Sequence, residues 1–393
     1  MPQIPAHIQI MPMESDHPLY PRTLGEAVEE MERGLRTGDV GLLRPYRTGF
    51  PQIDERLGGG LHGEDLVLLA GMQNVGKTIL ALQMARNVAA GGDALALMVC
   101  YEHGPTALLH RLICQESVAD LEAPGADGPG GVTRAELEQC ILEHYSRGGS
   151  ASDLDIQWLM ERLPGVQRAW TRMGAYLDRL WLVRGDGLDT TDAWLGEYIR
   201  MARAYSHRRI VLFVDYAQRV PLRPTWGFNL SESARIDLVM RALKGLAATY
   251  GIPIVAVAAA DAEGLRRQRI HVEDIWGPSS CQYEPDAALV LNRDIADLST
   301  GERTVRVAIE KNRSGPSEVE FRHRLLGAHY ALAPTGVEVG ADESFQSERI
   351  ELRRQRQPGG GPPALLAQLL QELVDRQSSR QPELPNPQPG LAT

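Results

Sequence analysis

Gly71-Met72-Gln73-Asn74-Val75-Gly76-Lys77-Thr78 has the G-x-x-x-x-G-K-[ST] spacing of a loop that cradles phosphates. In such a loop successive backbone N–H groups surround a β-phosphate and the following helix N-terminus adds positive potential. Lys77 would bridge β and γ oxygens, and Thr78 would offer its hydroxyl to Mg²⁺. Only three of the chain's 41 cationic side chains are lysines, Lys77, Lys244 and Lys311. A lysine kept in an arginine-rich chain marks a position where a fork-shaped guanidinium is unwelcome. Lys244 has a blander reading, as a solvent-side helix residue.

A phosphate loop needs acids on neighbouring strands. Ile210-Val211-Leu212-Phe213-Val214-Asp215 is an apolar run that delivers Asp215 to a strand's carboxyl end, where it would hold Mg²⁺ through water. The alternative for Asp215 is a turn or helix-cap residue. Glu102 follows the run Ala94 to Cys100 directly and is placed to orient an attacking water, with a plain surface acid as the alternative.

The elements that must position these groups alternate in type. Asp65 to Ala70, Ala94 to Cys100, Ile210 to Asp215 and Ile252 to Ala259 are continuous apolar runs. Unbroken rather than alternating patterns predict a doubly wound α/β fold, its mostly parallel sheet covered by helices on both faces. Helices are predicted from Lys77 to about Ala89 and from about Glu232 to Tyr250, the second stopped by Gly251 and Pro253. Thr304 to Glu310 and Glu318 to His323 alternate and suit antiparallel edge strands. Upstream, Thr23 and Glu26 form a capping-box pattern before Leu24, Val28, Met31 and Leu35 at helical spacing.

The boundaries follow from composition. Residues 1–21 read as a disordered arm, 22–46 as a linker helix and loop, and 47–335 as the α/β domain, with a surface insertion at about 120–152. Residues 336–393 read as a flexible tail carrying a short amphipathic helix at 363–376, which would dock a protein partner or cap the domain. The net charge of -10 excludes a general polyanion coat, so any nucleic-acid contact must be local. Cys100, Cys114, Cys140 and Cys281 show no C-x-x-C pairing, which argues against a zinc ribbon or disulfide framework. No apolar stretch is long enough to span a membrane, and the predicted location is cytoplasmic.

Taken in order, these segments resemble the C-terminal RecA-like motor domain of the DnaB-type replicative helicases. The resemblance begins at Arg47-Thr48-Gly49-Phe50-Pro51-Gln52-Ile53-Asp54 and runs through the phosphate loop, Cys100-Tyr101-Glu102-His103 and Val214-Asp215-Tyr216-Ala217-Gln218. It continues through Ala242-Leu243-Lys244-Gly245-Leu246-Ala247, Tyr283-Glu284-Pro285-Asp286-Ala287 and Lys311-Asn312-Arg313-Ser314-Gly315-Pro316. It implies ATP and Mg²⁺ as cofactors, a homo-oligomer built as a hexameric ring, and hydrolysis between subunits. It makes Lys311 and Arg313 the candidate fingers reaching a neighbour's γ-phosphate, and the Thr23 to Arg36 helix the linker that packs on an adjacent protomer. On residues alone, Lys311 to Gly315 is equally good turn chemistry.

There are departures from that pattern. Before the linker the sequence reads only as a disordered arm, so the family's N-terminal helical domain is not expected there. Ala259-Ala260-Asp261 replaces a Ser-Gln pair after a central strand, and Trp276 stands where arginine is common. The DNA-facing loops of such rings would correspond to Arg219 to Asn229, with Arg219 and Arg223, and to Asp261 to Tyr283, with Arg266, Arg267 and Arg269. Arginines with interspersed aromatics suit single-stranded DNA, whereas a solvated Pro-rich connector is the alternative. Two functions remain open: an ATP-dependent helicase or translocase on single-stranded DNA serving DNA replication, or a RecA-fold ATPase scaffold without unwinding activity.

Overall fold

The computed structural model describes residues 23–37, 43–119, 131–222, 230–260, 267, 269–275, 283–294 and 303–340. Its core is one sheet. The six parallel strands are β1 (Leu66–Gly71), β2 (Ala94–Cys100), β3 (Leu180–Arg184), β4 (Arg209–Asp215), β5 (Ile254–Ala259) and β6 (Ala287–Arg293). They are extended by antiparallel β7 (Thr304–Asn312), β8 (Val319–Leu326), β9 (Ala331–Leu332) and β10 (Val337–Glu338). The strand order is β10-β8-β7-β6-β1-β5-β4-β2-β3, with β9 pairing β8 off that path.

β1 and β2 are buried along their whole length, as their unbroken apolar sequences require in a sheet covered on both faces. Each fully buried Val, Leu or Ile contributes about 1.5–3 kcal/mol relative to exposure. Helix α3 (Lys77–Ala90) leaves the end of the phosphate loop and buries Leu80, Leu82, Met84 and Val88. Helix α9 (Glu232–Tyr250) starts where the Ser231 side chain accepts from Ala234 N, and stops at Gly251, whose φ of +57° suits glycine.

Helix α1 (Leu24–Thr37) begins as its sequence predicts: Glu26 N donates to Thr23 Oγ1 and Thr23 N donates to Glu26 Oε2. None of its residues is buried, and Leu24, Val28, Met31 and Leu35 are all exposed. The domain also contains α2 (Pro51–Arg56), α4 (Pro105–Glu116), α5 (Arg134–Ser146), α6 (Ile156–Arg162), α7 (Pro164–Met173) and α8 (Asp192–Tyr205). The second half of the expected insertion is thus regular: α5 starts at a Thr133–Glu136 capping box and buries Leu137. Because β10 pairs β8 through Val337 and Glu338, the sheet runs past the expected limit at 335. The arm at 1–21 and the helix at 363–376 lie outside the described residues. Among the described residues, no helix is long and apolar enough to cross a membrane.

Candidate nucleotide site

β1 ends at Gly71, and a Cβ there would stand 2.9 Å from Leu291 O and 2.8 Å from Val75 Cγ1, so only glycine lets the loop turn against β6. Asn74 (φ +61°) and Gly76 (φ +107°) take left-handed conformations that fold Gly71–Thr78 back before α3 begins. The Lys77 ammonium donates to Gly71 O at 3.0 Å and Met72 O at 2.7 Å, so it lies across the loop mouth. Burial pushes its pKa below the ordinary lysine value, opposed by the charges of Asp215 and Glu102. An ammonium held only by two carbonyls is ready to exchange them for phosphate oxygens.

Asp215 closes β4, lies opposite Cys100 of β2 and Val257 of β5 in register, and is 1% exposed. Burial raises its pKa; a hydrogen bond with Thr78 offsets this, the nearby Glu102 charge adds to it, and Cys100 and Lys77 help the charged form. Cys100 Sγ lies 3.5 Å from Asp215 Oδ2, and its thiol is pushed up to about 12 by burial and then by Asp215, so it stays protonated. The peptide bond after Asp215 is cis. A desolvated carboxylate beside a threonine hydroxyl and an ammonium fits a divalent cation that takes its other oxygens from phosphates and water. Among the described residues, no group of three or more acidic, His or Cys side chains forms a metal cage, so the cation here would depend on phosphate and water oxygens.

These groups share one cavity of about 530 Å³ at the carboxyl edge of the sheet. Gln73, Asn74, Gly76, Lys77, Thr78, Glu102 and Asp215 line it, and so do Ala259 and Ala260. Arg111, Arg303 and Tyr330 line it as well, and no local sequence motif marks them. Arg111 on α4 reaches His103 Nε2 at 2.8 Å, and its guanidinium lies 5.1 Å from the Tyr330 ring centroid. Burial, and then Arg111, hold the His103 imidazole below its ordinary pKa, so it is neutral at pH 7 and accepts from Arg111. Arg303 enters from just before β7 and Tyr330 from just before β9. Only the tertiary fold brings these side chains beside the phosphate loop.

The end of β5 presents methyl groups to this cavity, but Ala259 is not isolated. Gln218 Nε2 donates to Ala259 O at 3.1 Å, and Ala259 N donates back to Gln218 Oε1 at 3.4 Å. The segment after β4 is therefore tied to the end of β5.

Lys311 and Arg313 lie at the other edge. Asn312, at the end of β7, pairs with Ala287 at the start of β6, so both cations sit beside the amino ends of the parallel strands. About 17 Å of strand separates that edge from the phosphate loop at the end of six-residue β1. Neither side chain lines the cavity of its own protomer.

The arginines expected to face nucleic acid divide. Arg219 is exposed and donates from Nε to Tyr216 Oη at 2.9 Å. Arg269 corrects the expectation: it is 9% exposed and ion-paired to the buried Glu320 of β8, since a carboxylate inside the sheet needs a cation there. Arg267 pairs with buried Asp274 at 2.6 Å, which likewise turns it toward the protein. Arg223, Arg266, Asp261 and Trp276 lie outside the described residues. Lys244 is corrected too: it is no solvent-side residue, because its ammonium donates to Asp286 Oδ2 at 2.7 Å and Glu64 O at 2.9 Å.

Residues 46–128 match the family model described as the DnaB-like helicase C terminal domain. The chain is 25% identical over 290 residues to the replicative DNA helicase DnaC of Bacillus subtilis (strain 168), covering 72% of this chain and 54% of that protein. It is 24% identical over 278 residues to the replicative DNA helicase DnaB of Geobacillus stearothermophilus, covering 68% and 52%. The chain thus spans about half the length of the curated relatives it matches. Among solved structures, it superposes on one described as an ATPase domain with a TM-score of 0.60 at 19% identity, covering 82% of this chain and all of that one. A DnaB-like replicative helicase, solved in a study of its interactions with primase, gives 0.57 at 18% identity, covering 82% and 68%. Phosphate loop, carboxyl-edge aspartate and sheet order agree with these similarities: residues 46–128 match the DnaB-like helicase C terminal domain model, and the sheet shares the fold of the two solved structures.

Proposed function

We infer that this chain hydrolyses Mg-ATP at the interfaces of a ring and uses the energy to move on single-stranded DNA. One observation carries the reading: Lys77, Thr78, Glu102 and Asp215 converge on one cavity, while Lys311 and Arg313 lie at the opposite edge of the same sheet. A finger in that position cannot serve its own protomer's nucleotide and suits a neighbour's. The exposed stripe of α1 supports assembly in the same way, because Leu24, Val28, Met31 and Leu35 bury nothing within their own protomer.

In this mechanism Lys77 gives up its two loop carbonyls and takes phosphate oxygens. Thr78 and Asp215 would hold Mg²⁺, which supplies charge neutralisation on the transferring phosphoryl group. Glu102, 43% exposed at the cavity wall, orients the attacking water and accepts its proton. Neutral His103, held by Arg111, sits beside Glu102 without cancelling its charge. Tyr330, braced by Arg111, offers a ring face for the nucleobase. The gain or loss of the γ-phosphate reaches the β4 and β5 ends through Gln218, next to exposed Arg219.

The second reading is a nucleotide-dependent scaffold without unwinding. It draws on Ala259 and Ala260, which bring no hydroxyl or amide side chain to the cavity. Steady-state ATPase rates of the wild type and Lys77→Ala, with and without single-stranded DNA at two salt concentrations, separate the two. DNA stimulation that weakens with salt and vanishes in Lys77→Ala is the result expected of a motor. Slow turnover indifferent to DNA favours the scaffold, and normal turnover by Lys77→Ala would remove the site assignment altogether.

A further inference from the structure

The finger is not a loose side chain at the end of a hairpin. Arg313 donates from Nη1 to Asp286 Oδ1 at 2.9 Å and from Nη2 to Tyr283 O at 2.9 Å, and its backbone N donates to Asp286 O at 2.8 Å. Asp286 is 9% exposed, whereas Arg313 is 54% exposed, so the braced guanidinium still presents much of its surface outward. A guanidinium has five N–H donors in a fixed fork, so two can be spent on a brace while others remain for a phosphate.

The other carboxylate oxygen is equally committed. Asp286 Oδ2 accepts from Lys244 Nζ at 2.7 Å and from Leu66 N at 2.8 Å. The peptide of Asp286 also donates to Leu66 O at 2.8 Å. The buried carboxylate is therefore anchored to the first residue of β1 and to α9, and it offers its remaining oxygen to Arg313. Because Lys244 supplies a second cation, Asp286 is not left unpaired when Arg313 shifts toward another anion, which removes the main cost of burying such a charge. The hairpin is fixed from its other side: Asn312 Nδ2 donates to Arg56 O at 2.7 Å, and a Cβ at Gly315 would meet that carbonyl at 2.9 Å.

We propose that Asp286, backed by Lys244, is the positioning residue for Arg313, holding the finger preorganised to meet a neighbouring subunit's nucleotide. This rests on the reading of Arg313 as a finger acting in trans. Asp286 touches no nucleotide, so it acts only through the orientation of Arg313. Misplacing a group in contact with a transition state by about 1 Å can cost about a hundredfold in rate.

The test is a double-mutant cycle on assembled protein, with kcat, KM and nucleotide affinity measured for Asp286→Asn, Arg313→Ala and the double variant. Asp286→Asn keeps the volume and, with its oxygen toward Lys244 and Leu66 N, turns an amide donor instead of a carboxylate oxygen toward Arg313. The expected result is a kcat lower by about tenfold or more with KM nearly unchanged, and no further loss when the substitution is added to Arg313→Ala. A purely structural role for Asp286 predicts the same factor in both backgrounds, and that outcome overturns the proposal. A slow Arg313→Ala beside an Asp286→Asn of normal rate rejects the clamp alone. Normal turnover by Arg313→Ala rejects the finger, and the clamp with it. Should Asp286→Asn fail to fold, Arg313→Lys decides: a point charge cannot bridge Asp286 and Tyr283 O with two nitrogens, so kcat should fall to near that of Arg313→Ala. Retention of near-normal kcat by Arg313→Lys rejects the brace.

Discussion

Replacing Glu102 with glutamine should separate chemistry from binding. Glu102 stands at the cavity wall, and its charge raises the pKa values of both Lys77 and Asp215. As a general base it should contribute about 10²–10⁴ in rate, or about 2.7–5.5 kcal/mol at about 1.36 kcal/mol per tenfold. Glutamine is isosteric and the side chain is partly exposed, so folding stability should change by about 0.5 kcal/mol or less. Binding should move the other way. Removing one carboxylate from beside Asp215 makes its ionised form easier to maintain, so Mg-nucleotide affinity should hold or tighten slightly. A coupled ATPase assay gives kcat, and titration of a fluorescent nucleotide analogue with and without Mg²⁺ gives affinity. Turnover within about threefold of wild type, far below that range, would refute the role given to Glu102. A loss of nucleotide affinity in step with kcat would instead make Glu102 part of the binding surface.

Three further predictions concern the arginines expected to face DNA and the amino edge of the sheet. Arg219→Ala should weaken single-stranded DNA binding and lower the salt dependence by about one counterion, with no change in thermal stability. Arg269→Ala should leave DNA binding intact and destabilise the fold by roughly 3 kcal/mol, because buried Glu320 loses the close cation that Arg269 supplies; the reverse pattern in paired melting and binding experiments would reject this division. Asp65 is pushed up to about 6 by burial and then by the charge of Asp286, against His62 and Lys244. A raised carboxylate pKa contributes stability that is present below about pH 4 and lost as pH rises through about 6. Asp65→Asn should therefore raise stability by about 1 kcal/mol at pH 7.5, after allowance for solvent screening, and hardly at pH 4. An equal shift in Tm at both pH values would show that ionisation of Asp65 is not the cause.

Much of the scaffold is legible in the sequence because its signals are local. The octet Gly71–Thr78 specifies its own turn, and the apolar runs of β1, β2 and β4 read directly as buried strands. Edge strand β3 is harder to read: Leu180–Arg184 is short and only partly buried, so nothing in its sequence demands a sheet. β6 is a buried apolar run but follows a Tyr-Glu-Pro-Asp segment whose resemblance to a known motif hides the strand. The cavity's Arg111, Arg303 and Tyr330 come from three distant segments and have meaning only after folding. Arg269 shows the opposite failure. Its neighbours Arg266 and Arg267 make it look like part of a basic loop, but its partner Glu320 lies 51 residues away across the sheet.

The scarcity of lysine has a common structural feature. Each of the three lysines donates to main-chain carbonyls: Lys77 to Gly71 and Met72, Lys244 to Glu64, and Lys311 to Tyr283. An ammonium is a compact point charge with rotatable donors, and it can serve a carbonyl and a second acceptor at any angle between them. A planar guanidinium instead matches a carboxylate edge on, as Arg86 does with buried Glu116 through Nε and Nη2. Lys77 and Lys244 also mark the two ends of β1: one bonds the carbonyl where the strand becomes the phosphate loop, the other bonds the Asp286 that grips the strand's first residue. A six-residue strand thus joins the protomer's own phosphate loop to Asp286, the partner of Arg313, the proposed finger. A shift of β1 on phosphate binding would be felt at the base of Arg313, beside which Lys311 donates to the same Tyr283 carbonyl and feels the charge of Asp286.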